Sequence, residues 1–515
     1  LIQKDTYQDS VVLMQLSKQL LTMEGVKQAM ALMGTPQNKA VLRDAGLLTR
    51  EVDAARPNDL AILVMGEDER LLDAALGFAR QALSRHHLAE GTALAGPAPR
   101  IRTIRDAMVR LPGANIALIS TPGSYAAAEA FKALKSGLHV MLFSSNVSLE
   151  DELALKVFAR GRGLIVMGPD CGTAILAGVP LGLANVVPQG SVGIVAASGS
   201  GLQELTCQLA RQSIGISHAI GTGSRDLRKE IGGITMSQGY EALLRDEATR
   251  LIVLLSKPPS PEIADQVLAR CKSAPKPVVI CFLGWDAKQV SPSSTLSVVR
   301  TIEQAALAVA DMLNQRIPTL KGAMDPELLA AAHREQGLLL ASQRFIRGLF
   351  SGGTLCSEAL VVLAELGHVA YSNVPLTSAQ SLSELGASQA DVLLDLGTDE
   401  YTLGKPHPII DYRTRISHLL DAAGDPSVGV VLLDVVLGRG AHPDPASELL
   451  PAIRASQQRA AEAGRHLAVV ATVCGTQYDL QNLERQERAL QEAGVLLAPN
   501  TAHATRLAHA IIRQG

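Results

Sequence analysis

The chain has 515 residues, 47% hydrophobic and 19% charged, with a formal net charge of −3. It is long enough for several buried cores, and its mild acidity with 3% aromatics excludes a basic, stacking nucleic-acid surface. No apolar run approaches the roughly 18 residues of a membrane span, and the opening residues carry no signal-peptide pattern. The six cysteines are Cys171, Cys207, Cys271, Cys281, Cys356 and Cys474, with no C-x-x-C spacing, and the 12 histidines contain no H-E-x-x-H. Dispersed thiols fit a reducing cytoplasm, so no disulfide framework and no metal site is expected.

Residues 1–100 are expected to form a small α/β domain. A helix over Ser10–Leu21, a strand over Val26–Met33 and a short helix from Thr35-Pro36 are followed by a strand over Asp59–Met65 and an amphipathic helix over Glu67–Leu83. Gly34 to Lys39 reads as a capped helix start in preference to an anion loop. Residues 88–100, with Gly91, Gly96, Pro97 and Pro99, read as a linker.

Residues 101–188 alternate strands (115–120, 138–143, 164–167) with helices (124–136, 148–160), the pattern of a parallel, doubly wound sheet. Ligands in such sheets sit at the carboxyl ends of strands. Asn146, Asp170, Cys171 and Gly172 lie in two such loops and are substrate-binding candidates. No adjacent base activates Cys171, so a small buried hydrophobe is the preferred reading over a nucleophile.

Residues 189–325 carry the most informative stretch. The β-branched run Val192–Ala197 is followed by Ser198-Gly199-Ser200-Gly201 and then by Leu202, Leu205 and Leu209 at helical spacing. A strand, a small-residue turn and a helix present unpaired N–H groups and the positive helix end to an anion, above all a phosphate. There is no third Gly at the dinucleotide spacing and no Lys-Ser/Thr of a P-loop. The next strand, Ile216–Gly221, ends in Gly221-Thr222-Gly223 where a dinucleotide fold would place an acid, which counts against NAD. These three residues are further substrate-binding candidates. Strands follow at Leu251–Leu255 and Pro277–Phe282, and Lys257-Pro258-Pro259 makes a rigid loop at a strand end; residues 315–342 read as a helical, Ala-rich connection.

In residues 343–515 the glycine turn recurs. Phe345–Phe350 leads into Gly352-Gly353-Thr354, and Val428–Leu437 leads into Gly438-Arg439-Gly440, with Asp444-Pro445 opening a helix. Further strands are expected at 392–396, 467–473 and 495–497, and a last helix over Thr501–Arg513. His407 sits between Pro406 and Pro408 in the loop from Gly404-Lys405. An exposed loop His is the preferred reading, and a proton or phosphoryl carrier is the sharper one.

GLIVMGPDCG, SVGIVAASGSG, IGTGSRD and KPVVICFLG make residues 163–283 resemble the α-subunit of succinyl-CoA synthetase. LLDLGTDE and VVLLDVVLGRGAHPD make residues 345–515 resemble the carboxyl-terminal domain of its β-subunit. The domain order, the opening YQDSVVLM and the GKPHPIID loop resemble the FdrA family of acyl-CoA synthetase-like proteins. The resemblance implies a partial CoA-binding Rossmann-like domain (101–188) and two flavodoxin-like ligase domains (189–325 and 343–515). It also implies a phosphate clamp of two helix N-termini, here Ser198, Gly199, Ser200 and Gly201 opposite Gly438 and Gly440. Arg439 would then be the nearest cation and, with His407, a catalytic candidate. The family's phosphoryl-carrying G-H-A-G motif is replaced by GWDAKQVSPSSTLSV, and neither an ATP-grasp domain nor the Gly-rich CoA loop has a counterpart.

The expected function is therefore phosphate-dependent carbamoyl transfer with phosphate or an acyl phosphate. The setting would be an oxamate-carbamoyltransferase-like enzyme of allantoin breakdown, assembled with partner subunits or as a homo-oligomer. The alternatives are an acyl-CoA synthetase and a non-catalytic anion-sensing subunit. CoA use is doubtful on this reading.

Overall fold

The computed structural model describes residues 1–515 except 7, 9, 45–46, 90–100, 286–289, 321–323, 386–389, 403–405 and 513–515. Most of the linker expected at 88–100, Gly404-Lys405, part of the GWDAKQV segment and Arg513 therefore lie outside the described residues. The chain divides into two compact units, one of residues 1–102 with 402–406, the other of 103–401 with 407–515.

In the first unit β1 (Ile2–Gln3), α1 (Ser10–Leu21), β2 (Val26–Met33), α2 (Pro36–Asp44), α3 (Arg50–Asp53), β3 (Leu60–Gly66) and α4 (Glu69–Ala89) follow in order. The sheet is antiparallel, in the order β1-β3-β2. Leu13, Leu16 and Leu20 of α1 and Ala75, Ala79 and Leu83 of α4 recur at helical spacing and bury one apolar stripe each against Ala29, Ala31 and Ile62 of the sheet.

The second unit opens with α5 (Ile104–Arg110), β4 (Ile116–Ile119), α6 (Gly123–Lys135), β5 (His139–Leu142), α7 (Leu149–Arg160) and β6 (Val166–Met167). Its parallel sheet has three strands, β4-β5-β6. Next come β7 (Thr173–Leu176), β8 (Val179–Gly182), β9 (Gln189–Ala197), α8 (Gly199–Arg211), β10 (Ile216–Gly221), α9 (Ile234–Arg245), β11 (Leu251–Ser256), α10 (Pro261–Cys271), β12 (Val278–Phe282), β13 (Leu296–Val299) and α11 (Ile302–Leu313). They build a seven-stranded sheet, β13-β12-β11-β9-β10-β7-β8. The β7–β8 hairpin joins it antiparallel to β10. The boundary expected at 188 thus moves: residues 173–182 belong to the second sheet.

The chain closes with α12 (Pro326–Gln336), β14 (Phe345–Phe350), α13 (Gly353–Glu365), β15 (Ala370–Ser372), α14 (Leu382–Leu385), β16 (Asp391–Asp395), α15 (Asp399–Thr402), α16 (Arg413–Gly424), β17 (Val428–Val436), α17 (Pro445–Glu462), β18 (Ala468–Cys474), α18 (Leu483–Glu492), β19 (Leu496–Ala498) and α19 (Thr501–Ile512). The third sheet is parallel, β15-β16-β14-β17-β18-β19. All nine residues of β17 are buried, as a central strand covered by helices on both faces requires. Of the helix expected across 315–342, only α12 is helical among the described residues, capped by Asp325 with Pro326 behind it.

One hydrophobic core runs through both large sheets. Ile194, Leu205 and Val279 from one and Ile346, Val361 and Val430 from the other belong to the same cluster. The fold is thus α/β, with doubly wound sheets as expected.

Candidate functional site

In each large sheet the strand order reverses beside a strand that feeds a glycine turn. In the first, β9 lies between β10 and β11; in the second, β14 lies between β16 and β17. Such switch points open a crevice at the carboxyl ends of the strands. Helix α8 leaves β9 and α13 leaves β14, and their first turns touch. Ser198 Oγ and Thr354 Oγ1 are 2.6 Å apart, and the Thr354 N–H donates to Ser200 Oγ at 3.2 Å. A Cβ on Gly201 would fall 2.8 Å from Thr354 Cγ2, and one on Gly352 would fall 2.9 Å from Ser200 Cβ. Glycine at both positions lets the two helix ends close on each other.

Ser198 caps α8, its Oγ accepting the Gly201 N–H at 3.0 Å. Among the described residues no acceptor lies within hydrogen-bond range of the Gly199 and Ser200 N–H groups. Beside them is a small, half-open pocket lined by Asp170, Cys171, Gly172, Thr173, Ala196, Ser198, Gly199, Gly221 and Gly223. Gly221 is required there, since a Cβ would fall 2.6 Å from Cys171 Sγ. Burial pushes the Cys171 thiol up to about 12, so it is a thiol at neutral pH. Asp170 is exposed at φ +58 and accepts from Ser224 Oγ at 2.9 Å.

The α13 side is braced from beneath. Asp434, fully buried, accepts the Ser351 N–H at 2.8 Å, the Ser351 hydroxyl at 3.0 Å and the Gly352 N–H at 2.8 Å. Its counter-ion is Arg415, also fully buried. Burial pulls that guanidinium down to about 10. At the end of β16 the buried Asp395 pairs with Lys257 at 3.8 Å. Burial raises the Asp395 carboxyl, against the pull of Lys257. A Cβ at Gly353 would overlap Asp395 Oδ2 and fall 2.8 Å from Lys257 Nζ.

The other sequence candidates fall elsewhere. The Gly438-Arg439-Gly440 turn is stitched to the strand end beside it: Gly438 N–H donates to Gln481 Oε1 at 3.2 Å, and Arg439 N–H to Ala184 O at 2.9 Å. Those two amides are spent inside the protein, and the Arg439 side chain is exposed. The turn that does meet Ser198–Gly201 is Gly352-Gly353-Thr354. His407 Nδ1 accepts the Ile409 N–H at 3.2 Å, while burial and the charge of Arg415 hold its imidazole down at about 4. With Nδ1 accepting, the neutral ring carries its proton on Nε2, so in this arrangement neither nitrogen offers a free lone pair to a phosphoryl group. His442 is likewise enclosed, with Nδ1 accepting the Asp444 N–H at 3.1 Å. Asn146 lies exposed at φ +58 in the neighbouring loop, and Thr222 is buried with its carbonyl accepting from Lys156 Nζ at 3.0 Å; neither lines the cavity. Thr173, Lys257, Asp395 and Asp434 were not singled out from sequence. Lys257 follows β11 and Asp395 ends β16, a weak positional signal, whereas Thr173 opens β7 and Asp434 lies inside β17.

Compared with known proteins, the chain is 40% identical over 519 residues to the uncharacterized protein YahF of Escherichia coli (strain K12), covering 100% of this chain and 98% of that one. The chain belongs to the family of YahF. Residues 349–511 match the CoA-ligase family model, and residues 1–97 match a model described as "AllF, heavy metal-associated domain". The latter region has no cysteine, and among the described residues no group of three or more His, Cys, Asp or Glu could hold a metal. The α-subunit of the ADP-forming succinate–CoA ligase of Aquifex aeolicus (strain VF5) is 26% identical over 195 residues, 37% of this chain and 62% of that one. Among solved structures, the dinucleotide-forming acetyl-coenzyme A synthetase 1 of Ca. Korarchaeum cryptofilum aligns at 16% identity over 83% of this chain and 91% of that one, with a TM-score of 0.31. No helix among the described residues is long and apolar enough to cross a membrane.

Proposed function

We propose that the chain performs acyl transfer of the acyl-CoA-ligase type, with a phosphate or acyl phosphate seated on the first turn of α8. The observation that carries this reading is the cavity beside Gly199, where two backbone amides have no protein acceptor and a second helix N-terminus abuts the first. Amides fixed by the fold cost no reorganisation when charge develops on a phosphoryl oxygen. The thiol of the acceptor attacks the acyl carbon, the C–S bond forms, the C–O bond to phosphate breaks, and the thiol proton leaves with the phosphate. The CoA-ligase model matched by residues 349–511 supports CoA as the acceptor class. Carbamoyl transfer from a ureido acid to phosphate, giving carbamoyl phosphate as expected from the resemblance, has no counterpart in the names of the relatives given above. Partner subunits belong to the same proposal.

The test is turnover of acetyl or succinyl phosphate with CoA, for the chain alone and with candidate partners, followed as thioester. Thioester that disappears in Gly199→Asp supports the reading. Ureido product from carbamoyl phosphate and oxamate, with no thioester, overturns it in favour of carbamoyl transfer. Phosphate binding without either product points to an anion-sensing subunit.

A further inference from the structure

Resting on that reading of the α8 turn, we propose that Lys257 is the cation of the site: its ammonium contacts the phosphoryl-type anion held at α8, in competition with Asp395. Register places it there. Ser256 of β11 pairs with Ala197 of β9, so Lys257 is level with Ser198, the cap of α8. Pro258 and Pro259 follow directly and stiffen the strand exit. The side chain is one-third exposed, and its Nζ lies 2.8 Å from where a Cβ on Gly353, the first residue of α13, would fall. Its charge acts on Asp170 of the cavity on one side and on Cys356 of α13 on the other.

Two features distinguish this lysine from an ordinary ion pair. A cation beside the first turn of a helix is on the wrong end of the dipole, and an anion between them removes the conflict. The ammonium has three donors, yet its carboxylate partner is 3.8 Å away, beyond hydrogen-bond length. Among the described residues no closer acceptor is present, so those donors remain for a ligand. A bound phosphoryl group would meet the Gly199 and Ser200 amides on one side and Lys257 on the other, with Asp170 and Asp395 as the flanking carboxylates.

The experiment is calorimetric titration of the full chain with inorganic phosphate at pH 7. Lys257→Met is expected to weaken phosphate binding by about tenfold or more, the size of a charge-assisted hydrogen bond, and Lys257→Arg to restore most of it. Asp395→Asn is expected to tighten binding, because the competing carboxylate charge is gone; a purely structural pair would weaken or leave it. Thermal melts of each variant separate misfolding from lost contact. Wild-type affinity in Lys257→Met, with binding abolished in Gly199→Asp, would overturn the role of Lys257 and leave the α8 reading standing. No phosphate binding by the wild-type chain would bring down both.

Discussion

Asp434 shows how much of the site is held by groups that never touch a ligand. One carboxylate takes three donors from Ser351 and Gly352 and neutralises Arg415, all without solvent. Truncating one member of a buried pair strands the other, typically at about 3–5 kcal/mol. Asp434→Ala is therefore expected to lower the urea unfolding free energy by about that amount; an unchanged midpoint would show that Arg415 finds water instead. The cysteines make an independent check at the same scale. All six are free and buried, with Cys171 pushed up to about 12 and Cys271 to about 11. Iodoacetamide should leave the native chain unmodified by mass spectrometry and label all six thiols in urea. Fast native labelling of Cys171 would revive its candidacy as a nucleophile.

Helix starts are where the elements are joined. Glu358 of α13 accepts the Ile302 and Glu303 N–H groups at 2.7 and 3.3 Å, capping α11 from a different helix. Burial, with the charge of Glu204 next, pushes its carboxyl from an ordinary 4.5 up to about 8. A raised acid binds its proton more tightly folded than unfolded. Its stabilising contribution is complete below pH 4.5 and is lost as pH rises to about 8. Glu358→Gln keeps the acceptor and removes the titration. The variant's melting temperature should match wild type at low pH and exceed it above pH 8; parallel curves would refute the shift. At this scale the sequence was most readable. The β-branched run Val428–Leu437 and the turns after β9, β14 and β17 placed strands and helix starts to within about three residues. The β7–β8 hairpin was not readable. Its turn is Ala177-Gly178 at φ +49 and +79, and alanine at a left-handed position lacks the Asn-Gly signature of a tight hairpin.

On the scale of the whole second unit, the site is a product of docking two sheets on one core. That explains what the sequence left open. Three glycine turns follow three strands, and local chemistry treats them alike; only tertiary packing decides that Gly352-Gly353-Thr354 meets α8, while Gly438-Arg439-Gly440 spends two amides on Ala184 and Gln481. Lys257, Asp395 and Asp434 come from strands far apart in sequence and gain a role only by strand order. The most direct measurement is a crystal structure of the full chain with inorganic phosphate. An anion is expected within hydrogen-bond range of the Gly199 and Ser200 amides, in the pocket lined by Thr173 and Gly221. An anion held instead by Arg439 and the Gly438–Gly440 turn, with the α8 turn vacant, would contradict it.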